Sequence, residues 1–538
     1  MPTLEWIGKD KVINHHLDVP YRVLERKYSY DESGQHDEDN GSENMIIHGD
    51  NLDALKSLLP RYEGRVKCIY IDPPYNTGNE KWVYNDNVND PRILKWLGQV
   101  VGAEGEDLSR HDKWLCMMYP RLKLLQRLLS DDGVIFISID DIEQVNLRNI
   151  CNEIFGPSNF ITCFIWRKVD SPNDNKVAIT PDHEYLVCYA KNQPKMKLEP
   201  MPSSQIVEAY GQVDETGRRY RDRLLKKNGR NSLRRDRPTM FFPITAPDGT
   251  EVFPIHDNGE EARWAMGREG VQRQIDAGTL IWKRRVRQGQ EVWEPYTREF
   301  APDNPTRPYP SIWSDLDTMR QAKAMLRTIF DTSDLFDTPK PVNLVERIIR
   351  IVSDPDAIIL DSFAGSGTTA HAVLNMNKTD GGHRRFILVE MMDYADSLTA
   401  ERVKRVIDGY GSGRQAVEGT GGSFSYSELG EPLMIGDVLN ESVGVDKIRE
   451  YVYFTDTKSR LPEAHADEPY YLGLHVNNAY YFYYEREAVT TLNREFLHTI
   501  QTRADAYVIY ADLCTLSEEE LERHHITFKK IPRDITKL

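Results

Sequence analysis

Two short stretches hold residue types that do chemistry together. In "KCIYIDPPYNTG" (67–78) an apolar, β-prone run stops at Asp72, Pro73, Pro74 and Tyr75. An exocyclic amine such as that of adenine is a poor nucleophile, because its lone pair is delocalised into the ring. Acceptors on both of its hydrogens favour the pyramidal form that attacks. Asp72 offers one acceptor, and a main-chain carbonyl of the Pro73–Pro74 pair offers the other. Prolines fix φ and lack an N–H, so they aim that carbonyl rigidly and bring no competing donor. Tyr75 supplies a π-face on which an unstacked base can lie. Asn76, Thr77 and Gly78 extend the loop. The same four residues also occur in ordinary turns, so this segment alone leaves both readings open.

The second stretch is "IILDSFAGSGTTA" (358–370), where a short strand runs through Asp361 and Phe363–Ala364 into Gly365, Ser366, Gly367 and Thr368. Glycines allow a tight turn and a close ligand approach. A second strand, "RRFILVE", follows and ends in Glu390, where a carboxylate can take both hydroxyls of a ribose. The unit therefore reads as a site for a nucleoside-containing cofactor. Gly365, Gly367 and Ala370 also fit a dinucleotide pattern, so a nicotinamide oxidoreductase is a rival, as is a turn with no ligand. A phosphate-binding loop of the G-K-[ST] kind is excluded. Asp361 would repel a pyrophosphate but suits an ammonium, which S-adenosylmethionine carries together with a sulfonium and a ribose.

The surrounding pattern must hold these two turns side by side. "NMIIHGD", "VKCIYI" and "GVIFISI" read as buried strands alternating with the helices "NLDALKSLL", "DKWLCMMYPRLKLLQRLLS" and "IEQVNLRNICNEIF". Asp50 or Asn51 is placed to cap the first helix, and Pro120 is expected to kink or interrupt the second. The alternation predicts an α/β, doubly wound and mostly parallel sheet. From about residue 159 it gives way to strands without helices and then to an irregular basic segment; it returns with "PVNLVERIIRIV" near residue 341. The expected organisation is a partly disordered N-terminal arm over 1–44, a core half over 45–160 with the acceptor loop, an inserted domain over 161–330, a second core half over 331–412 with the glycine turn, and a C-terminal α/β domain over 413–538.

The 538 residues are 40% hydrophobic and 28% charged, ordinary for a globular chain with a sizeable core. No run approaches the ~18 apolar residues of a membrane span. The first residues lack a signal-peptide pattern, and the six cysteines form no C-x-x-C pair, so neither a zinc site nor a disulfide framework is suggested. A cytoplasmic bacterial or archaeal protein is expected. The net charge of −16 argues only weakly against a nucleic-acid partner, because base is concentrated in "GRRYRDRLLKKNGRNSLRRDR" (217–237), with ten Lys or Arg against two Asp.

"DPPY" together with "DSFAGSGTT" resembles the amino-methyltransferases of DNA. The order of acceptor loop, basic insert and cofactor loop is similar to the β-class N6-adenine methyltransferases. "NMIIHGDNLDALKSL", "RPTMFFPITAPDGTEVFP", "LFDTPKPVNLVERIIRI", "GGSFSYSELGEP" and "ITFKKIPRDI" look like the modification (Mod) subunits of type III restriction–modification systems, which are typically somewhat longer. The resemblance implies a class I S-adenosylmethionine-dependent methyltransferase fold. It implies that Asp72, Pro73, Pro74 and Tyr75 are catalytic. It places Asp361, Phe363, Ala364, Gly365, Ser366, Gly367 and Thr368 at the methionine end of the cofactor, Glu390 on its ribose, Lys340 of "TPKP" near its carboxylate, and Asp50 and Asn51 near its adenine. No metal is implied, since the sulfonium is already a good leaving group. Aspartate in the loop favours adenine over cytosine N4, which remains an alternative, as does a catalytically silent DNA-recognition subunit.

With that resemblance the insert reads as a target-recognition domain for double-stranded DNA. Arg218, Arg219, Lys226, Lys227, Arg234, Arg235 and Arg237, with Lys283, Arg284 and Arg285 of a second patch, are its candidate contacts. Trp264, Trp282, Trp293 and Trp313 read as local core. No nuclease or helicase motif occurs, so cleavage would belong to a partner chain. A homodimer held partly by residues beyond 423 is expected.

Overall fold

The computed structural model describes residues 3–76, 110–170, 179–287, 289–332, 335–352, 354–462, 467–533 and 535. The chain forms two compact units, Pro200–Tyr309 and the remainder. The larger unit is built on an eleven-stranded sheet. In chain order its strands are β1 (Arg22–Asp31), β2 (Gly34–His36), β3 (Met45–His48), β4 (Val66–Ile71), β5 (Leu129–Ile139), β6 (Phe160–Arg167), β7 (His183–Ala190), β8 (Ile312–Trp313), β9 (Ile358–Asp361), β10 (Arg385–Glu390) and β11 (Ser423–Pro432). Their spatial order is β8-β6-β7-β5-β4-β9-β10-β3-β11-β1-β2. The run from β5 through β4, β9, β10 and β3 to β11 is parallel throughout, and the antiparallel pairs lie toward the two sides.

The central strands are buried on both faces, which is why they read as continuous apolar runs. Alternation sends Ile69, Ile71, Ile135, Ile137, Leu360, Ile387 and Val389 to one face. There they share a core with helices Asn51–Tyr62, Arg110–Leu128 and Gln144–Phe155. Cys68, Tyr70, Phe136, Ile359, Phe386 and Leu388 alternate with them and are equally buried. Helices Val342–Val352 and Thr368–Asp380 pack against β4 and β10. The architecture is a doubly wound α/β fold on a mostly parallel central sheet, as expected. Because β3 leads to β4 across β9 and β10, the strand order reverses beside β4. The crevice beyond the carboxyl ends of β4 and β9 is where such sheets bind ligands.

Four features differ from the sequence reading. Arg22–Asp31 lies inside the expected arm over 1–44, yet it pairs with β11 through most of its length; its half-exposed, charge-rich face hid it. Helix Arg110–Leu128 is not interrupted at Pro120, which is buried along with Leu122 and Leu124. The inserted unit is narrower than 161–330, since β6, β7 and β8 at its ends join the main sheet. Ser423–Pro432 also belongs to that sheet, parallel to β3, so the main sheet extends past 413. The C-terminal part adds a four-stranded sheet (Tyr471–His475, Asn478–Phe482, Ala506–Ala511, Ile526–Lys530) and helix Val445–Thr457. Tyr451 of that helix meets Tyr21 with ring centroids 5.0 Å apart.

The inserted unit holds an antiparallel sheet of Leu280–Arg287, Gln290–Phe300, Arg219–Leu224 and Gln212–Val213. Its small core contains Leu225, Phe242, Ile244, Trp264 and Val271. Among the described residues no helix is long and apolar enough to cross a membrane.

Candidate active site

The acceptor loop leaves the carboxyl end of β4 and is held by side chains from four other segments. Lys340 Nζ lies 2.8 and 2.7 Å from the two carboxylate oxygens of Asp72. The Tyr75 hydroxyl donates to Asp72 Oδ1 at 2.7 Å, or to Glu184 Oε2 at 3.0 Å. The Trp114 indole donates to the Pro74 carbonyl at 2.7 Å, and Pro74 lines the cleft while Pro73 is buried. Asn76 takes a left-handed φ of 61°, and its amide donates to buried Glu143 at 2.5 Å. Thr77 and Gly78 lie outside the described residues.

Two expectations change here. Tyr75 is only 4% exposed and does not line the cleft, so it presents no open stacking face. Its hydroxyl is drawn between two carboxylates, and that turns the ring into core. Lys340 does line the cleft, but its ammonium is closed on Asp72 and not left free for a ligand carboxylate.

The electrostatics of this cluster follow from burial. Burial raises the Asp72 carboxyl above its ordinary value, against the pull of Lys340. Burial works against the Lys340 ammonium, but Asp72 and Glu184 together hold it above its ordinary value. Burial likewise opposes ionised Glu184, while Lys340 and Lys168 hold its carboxyl below the usual range.

The glycine turn follows β9, the neighbour of β4. Gly365 and Gly367 both have left-handed φ, 52° and 78°, a conformation open to glycine. Asp361 pins the turn: Oδ1 accepts from the Phe363 N–H at 3.1 Å and Oδ2 from the Thr369 hydroxyl at 2.6 Å. Glu390, at the end of β10, accepts from the Gly365 N–H at 2.8 Å and the Met392 N–H at 3.0 Å. Burial pushes both carboxyls up to about 7. Behind the turn, fully buried Arg402 donates to the Ser366 and Thr368 hydroxyls at 2.9 and 2.8 Å.

The two loops share one cleft of about 900 Å³ including open solvent. Asp72, Pro74 and Lys340 line it together with Asp361, Phe363, Ala364, Gly365, Ser366, Thr368 and Glu390. Asn51 lines it too, whereas Asp50 caps its helix, accepting from the Leu52 N–H at 2.8 Å. The Ser362 and Thr338 hydroxyls are buried without a hydrogen-bond partner among the described residues, and both residues line the cleft. A polar, ribose-bearing ligand supplies what they lack. The residues present thus fit S-adenosylmethionine: a carboxylate at the end of β10, a glycine turn that admits close approach, and unpartnered hydroxyls along the wall.

Three residues escaped the sequence reading. Glu184 sits in "HEYLVCYAK", and the signal was an acid inside an otherwise buried strand. Arg121, 1% exposed, lines the cleft and bonds Asn51; its signal was an arginine on the apolar face of a helix. Arg402 gave no such signal, because only the fold brings it behind the turn.

In the inserted unit the basic candidates separate into three groups. Lys226 is buried, bonding the Ile255 carbonyl and Glu294, both at 3.0 Å, and it is a core tether. Arg234, Lys283, Arg284 and Arg285 pair with Glu261, Asp222, Glu291 and Asp257. Arg218 lies over the Phe300 ring at 4.3 Å. Arg218, Arg219, Lys227, Arg235 and Arg237 form no ion pair among the described residues, and all but the half-buried Lys227 are exposed. Trp264 is buried as expected for core, while Trp282 and Trp293 are half-buried and meet edge to face.

Comparison with known proteins bears on this geometry. The family model described as DNA methylase matches residues 66–454. The chain is 32% identical over 418 residues to the type III restriction-modification enzyme EcoPI Mod subunit of Escherichia phage P1, covering 72% of this chain and 63% of that one. It is 35% identical over 394 residues to the StyLTI Mod subunit of Salmonella typhimurium, covering 69% and 58%. The type II methyltransferase M.KpnI of Klebsiella pneumoniae is 33% identical over 357 residues, covering 64% and 80%. The chain therefore spans about three-fifths of the length of these two Mod subunits.

Proposed function

Because this chain belongs to the DNA methylase family, we propose that it transfers a methyl group from S-adenosylmethionine to the N6 amine of adenine in double-stranded DNA. The observation that carries this reading is that the acceptor carboxylate Asp72 and the glycine turn leave adjacent parallel strands and line one cleft. When bound, S-adenosylmethionine supplies an electrophilic methyl group on a sulfonium that leaves as a thioether.

The chain's own residues prepare the nucleophile. Asp72 and a main-chain carbonyl of the Pro73–Pro74 pair accept the two hydrogens of the target amine and so free its lone pair. As the nitrogen gains the methyl it loses one proton. A buried carboxylate whose proton affinity is raised is suited to receive it. Glu390 is assigned to the ribose, Asn51 to the adenine end, and Gly365–Thr368 to the methionine end. The base must leave its stack to reach Asp72, and the exposed arginines of the inserted unit provide phosphate contacts.

Two of the relatives named above are subunits of restriction–modification enzymes, which supports a role in such a system, with cleavage on a separate chain. A homodimer belongs to the same proposal and is tested by mass in solution at micromolar concentration. The activity is tested by incubating the protein with labelled S-adenosylmethionine and genomic DNA, digesting, and identifying the modified nucleoside. N6-methyladenine supports the reading, N4-methylcytosine replaces the base assignment, and no label rejects it.

A further inference from the structure

Glu184 reaches the acceptor loop from β7, two strands away from β4, and belongs to neither loop. It is 3% exposed. Its Oε2 accepts from the Tyr75 hydroxyl at 3.0 Å and lies 3.4 Å from Lys340 Nζ, while its Oε1 lies 3.3 Å from Lys168 Nζ. Asp72, Glu184, Lys340 and Lys168 thus form a buried group of two carboxylates and two ammoniums, with the Tyr75 hydroxyl between the carboxylates.

This arrangement bears on the reaction proposed above, on which the inference rests. Lys340 occupies both oxygens of Asp72, and Tyr75 occupies one of them again. A carboxylate has about four acceptor sites, so three are in use before any amine arrives. Methyl transfer needs Asp72 turned to the amine. Breaking a buried ion pair outright is strongly destabilising, so the ammonium needs another carboxylate at hand. Nζ is nearer to Asp72 than to Glu184 by less than an ångström, and a small shift exchanges the two.

We propose that Glu184 is a positioning residue for methyl transfer, the alternative partner that takes Lys340 and the Tyr75 hydroxyl from Asp72 when a target amine donates to that carboxylate. Glu184 does not line the cleft and acts through Lys340 and Tyr75. Its removal therefore affects the transfer step and not the binding of the cofactor.

The test uses the full chain with E184Q and K168M. Three quantities are read: single-turnover methyl transfer at saturating DNA, binding of S-adenosylhomocysteine, and the pH dependence of transfer. The titratable groups facing Asp72 are Tyr70, Tyr75, Glu184, Lys340 and Asp361, with Lys168 beyond Glu184. E184Q removes a negative neighbour that raises the Asp72 carboxyl. The expected result is transfer slowed about 10- to 100-fold, binding within about twofold, and the acid limb of the profile moved to lower pH. K168M leaves the group with excess negative charge and moves that limb to higher pH.

Opposite displacements in the two variants support the positioning role, which mere structural support does not produce. If E184Q does not give a cooperatively melting chain, the K168M displacement decides alone. Wild-type rate and profile in both variants overturn the inference, as does a rate loss matched by lost cofactor binding. Failure of the wild-type chain to label DNA is a different outcome, and it rejects the methyl-transfer reading itself.

Discussion

Lys340 and Asp72, 268 residues apart in sequence, close on each other with Nζ 2.8 and 2.7 Å from the two carboxylate oxygens. The contact ties the acceptor loop to the segment that leads into helix Val342–Val352. It also ties that loop to the glycine turn, because the Thr368 hydroxyl donates to the Lys340 carbonyl at 3.2 Å. The two halves of the site are thereby registered against each other, although the inserted unit and much of the chain separate them.

The turn itself is tested by Gly367→Ala. A Cβ there sits 3.0 Å from the Thr399 carbonyl oxygen on a backbone with φ of +78°. The left-handed conformation alone costs about 1–2 kcal/mol for a residue with a side chain. A fall in melting temperature together with weaker S-adenosylhomocysteine binding is expected. An unchanged melt and unchanged affinity contradict the geometry assigned to the turn.

Cofactor affinity should depend on pH through Asp361 and Glu390, both pushed up to about 7 by burial. Their ionised forms suit a ligand carrying ammonium and sulfonium charge. Binding of S-adenosylmethionine is therefore expected to tighten as pH rises from 6 to 8, by about three- to tenfold. In the free chain the sign is reversed. These carboxyls hold protons in the fold that the unfolded chain releases near the ordinary values, so their contribution to stability falls as pH rises from the ordinary range through about 7. Titration calorimetry at several pH values checks the first statement; affinity that is flat or that falls with pH contradicts it.

The inserted unit offers a contrast between two kinds of basic residue. Replacing Arg235 and Arg237 by alanine should weaken DNA binding across sequences and lower the salt slope by about two, with little change in melting. Lys226→Met should do the reverse, since Lys226 bonds Ile255 and Glu294 inside the unit. Gel-shift titrations at several salt concentrations and thermal melts of both proteins separate the two roles.

Much of the site was legible in the sequence because both of its loops are local. Asp72 with its prolines, and Gly365 with Gly367, follow strands whose apolar runs are plain, and the parallel alternation implied that they meet. Glu184, Arg121 and Arg402 were not legible as site residues. Each reaches the site only through packing of strands and helices distant in sequence, and a single charged side chain in an apolar run carries no address. Strand Arg22–Asp31 was hidden for a different reason. Its partner Ser423–Pro432 comes almost four hundred residues later, and its half-exposed pattern resembles a solvated arm. Lys226 looked like its exposed neighbours because charge runs do not report which member turns inward.

The central claim is that Asp72 prepares an adenine amine for methyl transfer. The most direct measurement sets wild type and Asp72→Ala side by side, with labelled S-adenosylmethionine and genomic DNA, and pairs nucleoside analysis with S-adenosylhomocysteine binding. The expected result is N6-methyladenine from the wild type, none from the variant, and cofactor affinity within about twofold. Substantial transfer by Asp72→Ala, or label on another nucleoside in the wild type, contradicts the account.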